Sequence, residues 1–184
     1  MKRPARPITA TYLRNAAAFY LERYPATAEG LRRVLARRVA RAVRNDAPVM
    51  EGVEQEIEAI VARFVAAGMI DDEAFAQTKA RALHRRGTST RLTRRRLQLA
   101  GVDAETLDRA FAGLDRELDT DPAERERRAA VALARRRRLG PFRLPEQRRE
   151  RRDRDLAAMA RAGFDLDLAR RVIDAPSAES LDDD

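Results

Sequence analysis

Apolar residues recur at intervals of three and four along most of the chain, the spacing that places side chains on one face of an α-helix. Clear stripes of this kind run through 13–24, 31–42, 53–64, 107–114 and 168–173. Sustained alternation of the strand type is hard to find, and the glycines and prolines, 8 of each, lie mostly between the stripes. The pattern therefore predicts an all-α fold.

A short segment that reads Ala-Gly, one or two apolar residues and then Asp occurs three times, at 67–71, 100–103 and 162–165. Glycine readily adopts the left-handed conformation just past a helix end, and the next apolar residue packs back on the last turn. The Asp carboxylate then accepts hydrogen bonds from the free N–H groups of the following helix. We therefore predict a tight joint between two helices at each of the three segments.

These joints lie within a longer internal similarity. Residues 92–111 resemble 156–173, and a weaker copy at 31–64 contains a joint lengthened by residues 45–48. Each copy is too small to bury much core alone, which favours stacking of the copies in series. The predicted divisions are a flexible basic arm at 1–9, helical modules at 10–69, 70–116 and 123–175, and an acidic disordered tail at 176–184.

Arginine dominates the charge of this 184-residue chain. There are 38 basic and 30 acidic residues, for a net charge of +8, and since Lys2 and Lys79 are the lysines, 36 of the basic residues are arginine. This excess favours a polyanionic or acidic partner. The absence of cysteine and the single histidine exclude disulfide frameworks, thiol catalysis and sites that need several histidines.

No apolar run approaches the roughly 18–20 residues that a membrane span requires. The N-terminus is basic and free of acids, but no sustained apolar segment follows it as in a signal peptide. We therefore expect a cytoplasmic protein that does not contact membranes.

The candidate catalytic and metal-binding groups have structural explanations. Asp71, Asp72 and Glu73 open a helix, where acids are expected as caps. His84 lies among arginines, and we expect a solvent-facing ring with no carboxylate to orient it as a general base. The isolated glycines form no phosphate-cradling loop. We predict a protein that is not an enzyme and that uses no cofactor or metal.

Two segments concentrate the arginines: 81–96 holds seven and no acid, and 125–154 holds 13 against four acids. Guanidinium groups pair bidentately with phosphate or carboxylate, and the turn at 87–90 offers hydroxyls and helix N–H groups to a phosphate. The alternative is an ordinary solvent-exposed surface that is rich in arginine because the gene comes from a GC-rich genome. The residues predicted to contact phosphate or an acidic partner are Arg85, Arg86, Arg91, Arg94, Arg95, Arg136, Arg137, Arg138, Arg143, Arg149 and Arg152.

Aromatic residues add little to this basic character. Phe142 lies within the second basic segment, where it either stacks on a base or packs within a turn. Phe75, Phe111 and Phe164 lie on apolar stripes and are predicted to be core residues.

Residues 68–76, Gly-Met-Ile-Asp-Asp-Glu-Ala-Phe-Ala, resemble the G-L-L-D-D-x-x-F/Y-A signature of the RecX family. Residues 81–102 resemble the family's stretch R-x-x-x-x-x-G followed by L-x-x-x-L-x-x-x-G-I/V. Similar segments follow at 134–143 and 156–173. The resemblance covers most of the chain between 27 and 175, and its specific part is 68–114.

The resemblance implies tandem three-helix repeats in an elongated, curved, right-handed helical array. It also implies a negative regulator of the RecA recombinase, which lodges in the groove of the RecA filament on single-stranded DNA and blocks its growth or promotes its disassembly. Recombination and the SOS response are restrained as a result. The implied partners are the RecA filament and single-stranded DNA, with non-specific duplex binding left open, and we expect a monomer.

Two other functions stay open at the level of sequence. A DNA-binding helix-turn-helix protein, regulatory or architectural, would read base edges with Asn or Gln among the arginines, and 81–96 contains neither. A ribosome-associated basic protein would bind RNA without any dependence on RecA.

Overall fold

The computed structural model describes residues 7–181, and within them the chain is all-α. The helices are α1 (Ala10–Leu21), α2 (Ala28–Arg44), α3 (Val53–Ala66), α4 (Asp72–Arg85), α5 (Thr90–Leu99), α6 (Ala104–Leu118), α7 (Pro122–Arg137), α8 (Pro145–Arg161) and α9 (Leu166–Ile173). Short 3₁₀ turns lie at Gly140–Phe142 and Glu179–Leu181. Extended pairing over 7–181 amounts to one isolated bridge between Ile8 and Val49. The predicted all-α fold is confirmed.

The helices pack into two compact units. Unit 1 comprises the residues up to Phe75 together with Ala100–Asp103, and unit 2 comprises Ala76–Leu99 and the residues from Ala104 onward. In unit 1, α1, α2 and α3 contact one another. In unit 2, α6 contacts α5 and α7, and α7, α8 and α9 pack together. The division of the chain into three modules stays a prediction.

The core of unit 1 consists of aliphatic side chains from its three main helices. Leu13 of α1, Leu31 and Leu35 of α2, and Ile60 and Val61 of α3 are almost completely buried. They occupy the positions that the three- and four-residue spacing assigns to one face of each helix. Burial of each such side chain contributes about 1.5–3 kcal/mol, which makes this cluster the main stabilising feature of unit 1.

A buried threonine joins two segments of unit 1. Thr27 caps α2, since its hydroxyl oxygen accepts a hydrogen bond from the Gly30 N–H at 2.9 Å. The same hydroxyl donates to the carbonyl of Ala100 at 2.5 Å. Beside it, the Ala28 N–H donates to Asp72 Oδ1 at 2.9 Å. The N-terminus of α2 therefore holds the joint at Ala100–Asp103 in place within this unit.

The structure differs from the prediction of a flexible arm at 1–9. Residues 1–6 lie outside the described range, but Ile8 is buried, its N–H donates to Pro48 O at 2.9 Å, and its carbonyl accepts from the Met50 N–H at 3.2 Å. Thr9 caps α1 through its side chain. The lengthened joint between α2 and α3 provides the backbone partners that hold Ile8.

The three predicted joints are confirmed. In the third, Gly163 has a φ of 94°, Phe164 is buried, and the Asp165 carboxylate accepts a hydrogen bond at 2.8 Å from an N–H in the first turn of α9. The glycines of the other two joints have φ values of 68° and 96°. The apolar residues Ile70 and Val102 are buried there in the same way.

The core of unit 2 is built mainly from α7, α8 and α9. Leu133, Met159, Leu168 and Val172 are buried in one cluster. Three alanines of α7 are buried in the same cluster, namely Ala129, Ala130 and Ala134. Their small size permits close approach of the neighbouring backbone.

An arginine is buried at the contact of α7 with α5 and α6. Arg125 is 5% exposed and forms an ion pair with Asp115 of α6. Its guanidinium carbon lies 5.0 Å from the centroid of the Phe111 ring, and Nη2 lies 3.5 Å from Thr90 Oγ1. Removal of either member would leave the other charge buried and unpaired, which typically costs about 3–5 kcal/mol.

The segment 176–184 is predicted to be a disordered acidic tail, but the structure differs from this prediction up to Leu181. Glu179–Leu181 forms a 3₁₀ turn, and Leu181 is buried in the unit 2 cluster. Arg127 Nη1 donates to the Leu181 carbonyl at 2.8 Å. The apolar side chain thus anchors an otherwise acidic segment, while 182–184 lie outside the described residues.

Gly87 and Gly68 provide a matched test of close backbone packing in this fold. Both have a φ of 68°, so alanine at either position meets a similar left-handed penalty of about 1–2 kcal/mol. A Cβ atom at position 87 would lie 2.4 Å from the backbone nitrogen of Leu133, whereas one at position 68 would meet nothing within 4 Å. We predict that Gly68→Ala lowers the free energy of unfolding by about 1 kcal/mol and Gly87→Ala by about 3 kcal/mol or more. Urea unfolding measures both, and equal losses would contradict the close packing of Gly87.

Candidate nucleic-acid interface

The turn between α4 and α5 is the point in unit 2 at which the two basic segments meet. Gly87 lies directly against the α7 backbone at Leu133, since no space exists for a Cβ atom between them. The Ser89 N–H donates to Ala162 O at 3.3 Å, and Arg91 Nε donates to Gly163 O at 3.3 Å. The turn is therefore held by α7 on one side and by the joint between α8 and α9 on the other.

This packing brings predicted residues from both basic segments close to one turn. Arg85 and Arg86 immediately precede Gly87, and Arg136 and Arg137 follow Leu133 by three and four residues, which is about one helical turn. On α5, Arg95 lies one turn beyond Arg91 on the same helix face. We call this set the joint arginines: Arg85, Arg86, Arg91, Arg95, Arg136 and Arg137.

The joint arginines are exposed. Among the residues that the structure describes, none of the six forms an ion pair within 4.0 Å with an acidic side chain. Their positive charges therefore remain available to a ligand, and the array fits a polyanion such as a nucleic-acid backbone. Arg138 and Arg149 are exposed as well, with Arg138 ending α7 in the left-handed conformation at φ 52°.

The prediction that the turn at 87–90 offers its own groups to a phosphate is wrong. The Thr90 N–H and hydroxyl both donate to Glu126 Oε2 of α7, at 2.8 and 2.5 Å. Ser89 is completely buried, and its hydroxyl oxygen accepts from the Leu92 N–H at 3.2 Å. A carboxylate of the same chain thus occupies the place where a phosphate would bind.

Arg94 has a partner within the fold. Its Nη2 lies 2.6 Å from Asp108 Oδ1, and its guanidinium carbon lies 4.9 Å from the centroid of the Phe111 ring. Phe111 itself is buried, as predicted. Arg94 therefore stabilises the contact between α5 and α6.

Two of the predicted residues from the second segment also bind carboxylates of the same chain. Arg143 contacts both oxygens of the buried Asp155, at 2.7 and 3.1 Å, and this hydrogen bonding raises the pKa of Arg143. Arg152 contacts both oxygens of Asp174 at 2.7 Å, which lowers the pKa of that carboxyl. Both arginines hold α8 to neighbouring segments.

Phe142 and His84 both pack within the fold. Phe142 is half-buried against the unit 2 core, with the Arg135 guanidinium 5.3 Å from its ring centroid, so it packs within the fold. His84 is not solvent-facing as expected: it is half-buried, and its Nε2 lies 3.1 Å from the carbonyl of Arg125. The ring occupies the α4–α7 contact, a position that depends on tertiary packing and has no sequence signal.

The acidic residues that open α4 are caps, as predicted. Asp71 Oδ1 accepts a hydrogen bond from the Ala74 N–H at 2.8 Å, while Asp72 binds the backbone of α2 within unit 1. Over residues 7–181, no group of three His, Cys, Asp or Glu side chains is arranged to hold a metal ion. None of the described helices is long and apolar enough to cross a membrane.

Unit 1 carries a basic surface that is not among the predicted sites. Arg37, Arg38 and Arg41 of α2 line a depression together with Tyr12 of α1. The available signal was the stretch from Arg32 to Arg44, which contains no acid.

Comparison with known proteins places this arrangement in a family. The family model of the RecX second three-helix domain matches residues 71–110, the region of α4, α5, the joint that follows and the first half of α6. The Regulatory protein RecX of Myxococcus xanthus is 44% identical over 178 residues, which cover 96% of this chain and 91% of that protein. The chain belongs to the RecX family.

Other RecX proteins extend the match. The Regulatory protein RecX of Agrobacterium fabrum is 29% identical over 94% of this chain and 87% of its own length. The crystal structure of RecX from Lactobacillus salivarius shares the fold with a TM-score of 0.59 at 18% identity, over 94% of this chain and 96% of that one. The helical-repeat fold is thus shared with solved RecX structures.

The half-buried His84 predicts a pH dependence of stability. Burial lowers the pKa of the ring below its ordinary value of 6.5. Below pH 6.5 the unfolded chain takes up a proton that the folded ring resists, so stability that is present above this pH falls as the solution is acidified. Because His84 is the chain's single histidine, His84→Gln should reduce the loss of melting temperature between about pH 7.5 and about pH 5.5. The same loss in both proteins would contradict the assignment.

Proposed function

We propose that the chain is a negative regulator of RecA that binds in the groove of the RecA filament on single-stranded DNA. There it blocks filament growth or promotes disassembly, and it thereby restrains recombination and the SOS response. Support comes from membership of the RecX family, whose members in Myxococcus xanthus and Agrobacterium fabrum carry the name Regulatory protein RecX. We infer that it acts as a cytoplasmic, monomeric binding protein without catalysis.

The observation that carries this proposal is the convergence of the joint arginines on one turn of unit 2. A nucleoprotein filament presents DNA phosphates and acidic protein side chains, and arginine pairs bidentately with both. Six exposed arginines that have no acidic partner within residues 7–181 can therefore bind such a surface through several modest contacts at once. Contacts of this kind add to a strong attachment when they are made together.

The geometry also favours binding without reorganisation of the backbone. The turn that carries Arg85, Arg86 and Arg91 is fixed by the packing of Gly87 and by the hydrogen bond of Ser89. The backbone beneath these side chains is thus ordered before a ligand arrives. Preorganisation of this kind reduces the entropy lost on binding.

The rival reading, a helix-turn-helix protein that reads duplex sequence, is less well supported. A recognition helix places its N-terminal residues in the major groove, and the N-terminus of α5 is covered by the carboxylate of Glu126. The Thr90 N–H and hydroxyl at this helix N-terminus are therefore already bound and are not free to contact DNA.

The proposal predicts an effect on RecA itself. In the single-stranded-DNA-dependent ATPase assay of RecA, the full chain should inhibit hydrolysis at substoichiometric ratios to RecA. The reason is that a ligand that blocks filament growth or promotes disassembly affects many protomers per bound molecule. No inhibition at low ionic strength would overturn the proposal, and tight sequence-specific duplex binding would favour the helix-turn-helix alternative.

Charge reversal at the joint arginines tests the contact surface. Arg86→Glu combined with Arg95→Glu should raise the concentration for half-inhibition about tenfold or more and reduce the salt dependence of binding, because each residue is expected to contact a phosphate or carboxylate. Arg116→Glu is the control, since Arg116 is exposed on α6 of the same unit. Circular dichroism verifies that helicity is kept. Equal inhibition by the double variant and the wild type would remove the joint arginines from the interface.

A further inference from the structure

The C-terminal half of α2 carries positive charge that is not neutralised by ion pairs within the described part of unit 1. In the first half of this helix, Arg32 Nε contacts Glu58 Oε2 at 2.8 Å and Arg33 Nε contacts Glu29 Oε1 at 2.7 Å. Further along, the four arginines have no acidic partner within 4.0 Å among the described residues. These are Arg37, Arg38, Arg41 and Arg44.

The interaction of cations with the helix dipole explains the positions of only some of these arginines. Arg41 and Arg44 lie in the last turn of α2, where cations interact favourably with the helix C-terminus. Arg37 and Arg38 lie earlier than this turn, and the effect falls off beyond it. Their charges therefore call for another explanation.

An aromatic ring lies beside these cations. Tyr12 of α1, Val34, Arg37, Arg38 and Arg41 line one depression of about 470 Å³ on unit 1. Tyr12 is half-buried against the apolar core, which holds the ring in place and leaves part of it accessible. A ring that lines one depression with three arginines can stack on a flat group whose neighbouring atoms carry negative charge.

The aromatic surface continues along α1. Phe19 follows Tyr12 by seven residues, so the two side chains lie on nearly the same face of the helix, roughly 10 Å apart along its axis. Phe19 is 53% exposed, and the guanidinium carbon of Arg23 lies 3.6 Å from its ring centroid. A second aromatic ring on this face thus also lies next to an arginine.

We propose that this surface is a binding site for single-stranded nucleic acid, with a base stacked on Tyr12 and the adjoining phosphates bound by Arg37, Arg38 and Arg41. A duplex fits it less well, because its bases are stacked on one another and cannot reach the ring. An acidic protein segment would use the arginines but would leave the ring without a flat partner. The site deepens the proposed function, on which it rests for its biological setting, and lies on a different unit from the joint arginines.

The test measures nucleic-acid binding by the full chain without RecA, so its outcome does not depend on the filament proposal. Fluorescence anisotropy follows labelled oligothymidine and a duplex of equal length. Arg37→Gln with Arg41→Gln should weaken oligothymidine binding about tenfold and lower the salt slope by about 1–2. The control, Arg32→Gln with Arg33→Gln, removes the same charge from the same helix at ion-paired positions and should change affinity less than about twofold.

The ring is tested by two substitutions that both preserve apolar packing. Tyr12→Leu should weaken oligothymidine binding about fivefold, the lower end of what loss of one stacked base produces, with duplex binding unchanged. Tyr12→Phe should bind like the wild type. Circular dichroism and thermal unfolding confirm that each variant folds.

Three results would overturn the site. In the first, the Arg37 and Arg41 double variant binds oligothymidine like its control. In the second, Tyr12→Leu has no effect, or has equal effects on single strand and duplex. In the third, the double variant binds DNA normally but loses inhibition of RecA, which would assign the surface to an acidic protein partner.

Discussion

The packing of the α4–α5 turn on α7 is the contact on which the basic surface of unit 2 depends. Gly87 permits the two backbones to touch, Glu126 caps the helix that begins at Thr90, and Arg125 binds Asp115 in the interior. Each of these contacts comes from α7, and the joint between α8 and α9 holds the other side of the turn. The arginines on either side of the turn project from a backbone that these contacts hold in place.

The acids of the chain divide its arginines into two groups with different roles. Arg125 and Arg143 bind carboxylates that are largely buried, where a planar guanidinium satisfies several acceptors at once. Arg86 and Arg95 are exposed and have no such partner among the described residues. Net charge does not distinguish the groups, since a paired arginine counts as much as a free one. The candidate interface is therefore defined by the arginines that lack acidic partners among the described residues, and not by where arginines are dense.

Local features of this protein could be predicted from its sequence, and distant contacts could not. Helix spacing and the glycine–aspartate joints depend on neighbouring residues, so the all-α fold and the cap at Asp165 were predicted correctly. The acceptor for Thr90 is Glu126, 36 residues away, and no local pattern reveals that the turn is already occupied. The burial of His84 and Leu181 likewise depends on α7, which supplies their partners.

The same limit applies to the arginines in the C-terminal half of α2, which are not among the predicted contact residues. Its first arginines are neutralised by Glu29 on the same helix and by Glu58 on α3, and only the structure shows that this pairing stops before Arg37. Arginines without an acidic partner among residues 7–181 therefore lie on both units, each set on a surface of its own. Because the units belong to one chain, a polyanion that met both surfaces would be bound through two sets of contacts at once. Such binding would weaken as salt screens both sets of charges.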